Sequence, residues 1–193
     1  MGGGKVFILL VACSVFWLGV PNRALAGEGW YLGIYGGRAV YDTLKDILSD
    51  RDYADSYAVA LLAGRELTRH RHYLSLEAEG QYVKHFGYQT HAEFNALIAL
   101  RWLLFPWDRY VDTSFAVGEG LSYATSQPNI EVEKHDRSAR LLNYLMFELA
   151  GSLPQHPQWA VFLRVHHRSG VFGLFSGVSG GSNVVGLGVR YNF

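Results

Sequence analysis

A histidine and a serine one residue apart, His167 and Ser169, close the run Trp159-Ala-Val-Phe-Leu-Arg-Val-His-His-Arg-Ser169. A serine hydroxyl is a weak nucleophile until a histidine takes its proton, and that histidine needs an acceptor to hold its tautomer and orientation. Asn183, further along the chain, offers an amide carbonyl for the purpose. Such a carbonyl accepts an imidazole N–H but cannot neutralise imidazolium as a carboxylate does, so the set stabilises less charge than Ser-His-Glu would. The chemistry that fits is hydrolysis through a serine. In that set Ser169 would be the nucleophile, His167 the general base and then acid, and Asn183 the orienting acceptor.

Strand alternation brings these groups together. In an extended chain Trp159, Val161, Leu163, Val165, His167 and Ser169 share one face, while Ala160, Phe162, Arg164, His166 and Arg168 share the other. His167 and Ser169 therefore project from an otherwise apolar face, about 7 Å apart along the strand. A polar pair is costly there without a purpose or partners. In the final segment Asn183, Val185, Leu187, Val189, Tyr191 and Phe193 share a face against Gly186, Gly188, Arg190 and Asn192. If the two segments pair as antiparallel neighbours across the loop 170–182, Ser169 and Asn183 meet at the same end.

The rest of the chain repeats the pattern. Eight segments of strand length read roughly Trp30 to Val40, Ser56 to Leu67, Tyr73 to Lys84, Ala92 to Leu104, Tyr110 to Tyr123, Ala139 to Leu153, Trp159 to Ser169 and Asn183 to Phe193. In the fourth, Phe94, Ala96, Ile98, Leu100, Trp102 and Leu104 oppose Glu93, Asn95 and Arg101; in the third, Leu74, Leu76, Ala78 and Tyr82 oppose Ser75, Glu77, Glu79 and Gln81. A charged lumen and an oily exterior follow, but a soluble sandwich would alternate in the same way. Connection lengths discriminate better. Long connections after Val40, Lys84, Tyr123 and Ser169 alternate with short ones at 69–72, 106–109 and 154–158, as in outer-membrane barrels. Trp102, Trp107, Tyr110, Trp159 and Tyr144 suit an aromatic girdle, and Tyr191-Asn192-Phe193 resembles the terminal signature of such barrels. The expected fold is all-β, an eight-stranded antiparallel transmembrane β-barrel over residues 27–193.

Residues 1–26 read as a cleavable signal peptide, with Lys5, the apolar stretch Val6 to Leu18 and the small-x-small site Ala24-Leu25-Ala26. A lipoprotein site at Cys13 competes with this reading, but the apolar run continues past Cys13 and a good cleavage site follows. Cleavage at Ala26 removes the only cysteine, so backbone pairing and packing must supply stability. The 17 basic and 17 acidic residues balance, which argues against nucleic acid as a partner. Although 49% of residues are hydrophobic, no apolar run after the signal reaches the ~20 residues of a spanning helix.

His167-Arg168-Ser169, together with Gly180-Gly181-Ser182-Asn183 and the closing Gly186-Leu-Gly-Val-Arg-Tyr-Asn-Phe193, resembles the lipid A 3-O-deacylases, the PagL-like outer-membrane barrels of the acyloxyacyl hydrolase group. The resemblance is sharpest over the last ~35 residues, where the family carries a His-x-Ser pair on its penultimate strand and a third catalytic residue on its last. It departs at two places. Gly170 stands where an asparagine often follows the serine, and Asn183 stands where a glutamate would complete the triad. The resemblance implies an outer-membrane esterase that removes the 3-O-linked hydroxyacyl chain of lipid A, the lipid part of lipopolysaccharide. No cofactor is implied. Backbone N–H groups of Gly170 and Gly173 are the candidate oxyanion donors, Val165 and Leu163 the acyl-chain contacts, and Arg168, Arg140 and Lys134 the headgroup contacts.

Plainer readings compete. His167 and Ser169 could mark only where a strand leaves the bilayer, and Asn183 only the end of a loop. Arg164 and His166 suit a lumen network with Glu77 and Glu79. His70 and His72 share a turn without a third ligand, so no metal site is expected. The glycines of 177–181 lack the strand-to-helix context of a phosphate loop. The main rival function is a non-enzymatic barrel with a structural or interaction role; another is a barrel acyltransferase with an interior acyl pocket. Whether the polar cluster lies outside or inside the wall separates these. Pairing into a homodimer stays open.

Overall fold

The computed structural model describes residues 29–41, 44, 53–134 and 138–193, so the segment 1–26, expected to be a signal peptide, lies outside the described residues. Alternating polarity produces eight strands: β1 Trp30–Val40, β2 Tyr53–His70, β3 Leu74–Gly87, β4 Ala92–Trp102, β5 Asp112–Ala124, β6 Leu141–Leu153, β7 His156–Ser169 and β8 Gly181–Asn192. Each pairs antiparallel with the next, and β8 closes on β1 through the register Tyr31↔Asn192 to Val40↔Asn183. Closure leaves no unpaired sheet edge, which is why such a barrel can sit in hydrocarbon.

The two faces divide as the alternation requires. Outside, Ile34, Leu61, Ile98, Leu100, Leu149 and Leu163 are exposed, flanked by aromatic residues at both ends: Trp102, Trp107 and Trp159 near one, Tyr57, Phe94 and Tyr123 near the other. This is a transmembrane β-barrel, with an apolar belt between two aromatic rings. Tyr144 is a correction. It points into the lumen, fully buried, and exchanges hydrogen bonds with Gln81.

Inside, three arginines meet three carboxylates. Arg101 Nε donates to Glu77 at 2.7 Å and its Nη2 lies 2.8 Å from Glu148. Arg164 bonds both Glu79, at 2.7 Å, and Glu148, while Arg190 reaches Glu148 at 3.3 Å. Buried charges persist only when paired in this way. Phe162 and Tyr35 complete the filling, and Gly188 makes room for them, because a Cβ there would lie 2.4 Å from the Phe162 ring. Among the described residues, the lumen cavity that reaches β7 at Pro157 and Ala160 is lined largely by polar and charged side chains, Glu77, Arg101 and Arg190 among them, which do not suit an acyl chain.

Loop lengths follow the expectation only in part. The connections 125–140 and 170–180 are long, whereas β3 runs on to Gly87 and leaves the four-residue turn 88–91. At the other end the β4–β5 connection, 103–111, is the longest, because Asp108 accepts hydrogen bonds from the Phe105 and Thr113 N–H groups and folds it into a turn. A short helix, α1 Asn129–Lys134, lies in the β5–β6 connection and turns Ile130 and Glu131 inward.

Candidate active site

Antiparallel pairing sets His167 directly opposite Asn183, at the end of the barrel that carries the β5–β6 and β7–β8 connections. Their side chains meet on the outer wall, with His167 Nδ1 2.6 Å from Asn183 Oδ1. A carbonyl oxygen only accepts, so Nδ1 carries the proton and Nε2 keeps its lone pair. That is the tautomer a general base needs. Ser169 follows two residues later on the same face, half-buried, and its hydroxyl makes no hydrogen bond among the described residues. Catalytic hydrogen bonds are often absent before substrate arrives, so this geometry is compatible with a nucleophile and does not require one.

Below the pair the wall is apolar. Val165 faces Phe147 on one side and Val185 on the other; Leu163 faces Leu149 and Leu187. These six side chains form an open track from the polar cluster toward the middle of the belt, where the expected acyl contacts Val165 and Leu163 both lie.

Two further outward polar residues escaped the sequence reading. Asn143 on β6 is the cross-strand partner of Ser169, and its amide donates to Glu119 on β5 and to the Gly120 carbonyl, the latter at 3.3 Å. The polar band therefore runs around the wall from Asn183 through His167, Ser169 and Asn143 to Glu119. The signal was present: Asn143 stands between Leu141 and Leu145, and Glu119 between Val117 and Leu121, on the apolar parity of their strands.

Three expected roles are corrected. The Gly170 N–H donates to the Gly180 carbonyl at 3.0 Å and the Gly173 N–H to Val178 at 2.9 Å, so neither is available to an oxyanion. Gly170 has another reason to be glycine, since a Cβ would fall 1.9 Å from the Val178 oxygen. Arg168 does not contact a headgroup. It is fully buried on the lumen side, bonding Glu131 at 2.6 and 2.7 Å and the Ala139 and Arg140 carbonyls, and so ties the β5–β6 connection to β7. Arg140 is exposed at that end, and the side chain of Lys134 lies outside the described residues. His166 and Arg164 face the lumen as expected, though His166 meets Glu93. His70 and His72 are exposed and pack edge-on against Tyr73.

No family model matches the chain, and no curated protein matches it. Solved structures do. The outer membrane enzyme PagL superposes with a TM-score of 0.61 at 10% identity, over 84% of this chain and 99% of that one. The fold is that of bacterial outer-membrane barrels. Neisserial surface protein A superposes with a TM-score of 0.52 at 12% identity, over 86% of this chain and 98% of that one. An enzyme and a surface protein thus share the architecture, and at these identities the likeness concerns fold alone.

Proposed function

We propose that this chain is an outer-membrane esterase that removes the 3-O-linked hydroxyacyl chain of lipid A, exported by the signal segment 1–26. The observation that carries the reading is the outward His167–Asn183 hydrogen bond of 2.6 Å, with Ser169 beside it, at the head of an apolar track on the wall. Polar residues are tolerated at that height of the wall, but a mutually bonded imidazole and amide beside a serine hydroxyl at the head of an apolar track is the arrangement an ester substrate would use. The end bearing the long 125–140 and 170–180 connections is assigned to the cell exterior, where lipid A forms the outer leaflet.

The acyl chain would approach sideways along Val165 and Leu163, never leaving the membrane. Ser169 Oγ attacks the ester carbonyl carbon while His167 Nε2 takes its proton; the sugar 3-oxygen then leaves with that proton, and water hydrolyses the acyl-serine by the same route in reverse. Asn183 keeps His167 in the required tautomer. Asn143 and Glu119 are placed to meet the glucosamine hydroxyl and amide groups, and exposed Arg140 to meet a phosphate.

Mass spectrometry of lipid A from cells expressing the wild type, Ser169→Ala or His167→Ala at equal folded abundance tests the reading. Loss of one hydroxyacyl chain with the wild type alone is expected. Unchanged lipid A from correctly folded wild type would sink it and leave a non-enzymatic barrel, the architecture being shared with a surface protein.

A further inference from the structure

On the lumen side of the same end, three imidazoles converge on one carboxylate. The β3–β4 hairpin sets His85 across from His91, with the His85 N–H donating to the His91 carbonyl at 3.0 Å, and Glu93 follows on the same inward parity. His166 reaches the group from β7. All four side chains are 5% exposed or less. Glu93 Oε1 lies 3.0 Å from His91 Nε2 and 3.1 Å from His85 Nε2, and Glu93 Oε2 lies 3.0 Å from His166 Nε2.

Proximity here is not hydrogen bonding throughout. Only the His91 contact to Glu93 has hydrogen-bond geometry; both ring nitrogens of His85 and the second oxygen of Glu93 are buried without a hydrogen-bond partner. Buried polar atoms are ordinarily satisfied, so such a group calls for an explanation. The His85 and His91 rings stack with centroids 4.2 Å apart and 15° between planes, an arrangement that two protonated imidazoles would oppose. A cation taking lone pairs from His85 Nε2, His91 Nε2 and Glu93 would give the buried His85 Nε2 a partner and keep both stacked imidazoles neutral.

We infer that His85, His91 and Glu93 form a binding site for a divalent transition-metal ion, zinc foremost, in the outer part of the lumen. Their ligand atoms all lie within 4.8 Å of one another. Ligands held ~2.0–2.2 Å from a tetrahedral ion stand roughly 3.3 Å apart, close to the 3.0 and 3.1 Å that separate Glu93 Oε1 from the two Nε2 atoms. Two imidazoles and a carboxylate select zinc and its neighbours over calcium and magnesium, which take oxygen ligands. An outer layer is also in place. His166 Nε2 lies 3.0 Å from the second oxygen of Glu93, near enough to donate to it once the carboxylate turns, and its own Nδ1 meets the Tyr35 hydroxyl at 2.9 Å, where groups behind metal ligands commonly stand. The site faces away from Ser169 and stands independently of the esterase reading.

The test uses tag-free, full-length mature barrel refolded in detergent, stripped with chelator and dialysed against ZnCl2, with bound metal counted by plasma mass spectrometry. One zinc per wild-type barrel is expected. His91→Ala and Glu93→Gln should each weaken binding more than about tenfold, while the double variant His70→Ala/His72→Ala binds as the wild type does. No zinc on folded wild type, or full binding by both site variants, overturns the inference. Should the variants not fold, Co2+ on the wild type decides: visible d–d bands of a low-symmetry nitrogen and oxygen site support the assignment, and their absence at saturating Co2+ overturns it.

Discussion

β7 presents two histidines side by side, and their surroundings differ completely. Inward, Arg164 and Arg168 are heavily bonded: Arg164 alone bonds Glu79 and Glu148, and Arg168 bonds Glu131, Ser122 and two carbonyls. Outward, His167 has its hydrogen bond to Asn183, and the Ser169 hydroxyl has none among the described residues. Buried deep in the lumen, most of these polar groups are satisfied by the protein, the cluster around His85 and Glu93 being the exception, and they fasten strands together. The outer wall at the rim faces lipid headgroups and tolerates polar groups whose capacity is open. One strand therefore carries structure on one face and, on the proposed reading, chemistry on the other.

The sharpest way to break this contrast is to remove one group from each face. Ser169→Ala should abolish ester hydrolysis by about 10⁴-fold or more, above ~5 kcal/mol of transition-state stabilisation, while changing stability by less than about 0.5 kcal/mol. Purified barrel in micelles, assayed for fatty-acid release and for its urea unfolding midpoint, gives both numbers. Arg164→Ala should do the reverse. It leaves Glu79 and Glu148 buried with fewer partners and should cost about 3–5 kcal/mol of stability, with the rate per folded barrel retained. If Ser169→Ala destabilised the barrel while activity survived, the outward face would be structural too.

A smaller effect is expected at Asn143. Asn143→Leu removes a polar group beside Ser169 and should lower kcat/KM about tenfold, the worth of roughly one hydrogen bond, mostly through KM if the residue positions the sugar. An unchanged kcat/KM would confine the working site to β7 and β8.

The barrel was legible in the sequence because strand parity is a strong signal wherever one face meets lipid: β1 has the bounds the alternation sets, and β4, β6 and β8 agree within two residues. β2 was harder to delimit, extending from Tyr53 to His70 beyond the expected Ser56 to Leu67, because strand continues past the apolar belt where sequence no longer alternates. The meeting of His167 and Asn183 was legible as well, since antiparallel neighbours joined by one loop must bring the ends beside that loop together. What the sequence hid depends on register between strands and on backbone bonding within loops. Nothing local says that Asn143 lies opposite Ser169, that the Gly170 amide is already used by Gly180, or that Arg168 is held by a glutamate from a helix in another connection. The same limit concealed the inward cluster, for His85, His91, Glu93 and His166 come from a hairpin and a distant strand.

The smallest expected effect, that of Asn183→Asp, bears on why an asparagine stands where a carboxylate would complete the proposed triad. Asn183 fixes the tautomer of His167 without a charge, which suits a side chain only 4% exposed at the edge of an apolar wall. On the proposed reading His167 becomes imidazolium during attack, and a carboxylate in place of the amide would stabilise that charge at the cost of burying its own. The two effects nearly offset. Asn183→Asp should therefore raise kcat by about two- to tenfold, whereas Asn183→Ala, which loses the tautomer lock, should lower it by about tenfold or more. Steady-state rates of the two variants beside wild type separate the alternatives. A fall with both would mean that the amide itself is required, its N–H2 end included; no change with either would remove Asn183 from the site and leave His167 and Ser169 as a pair.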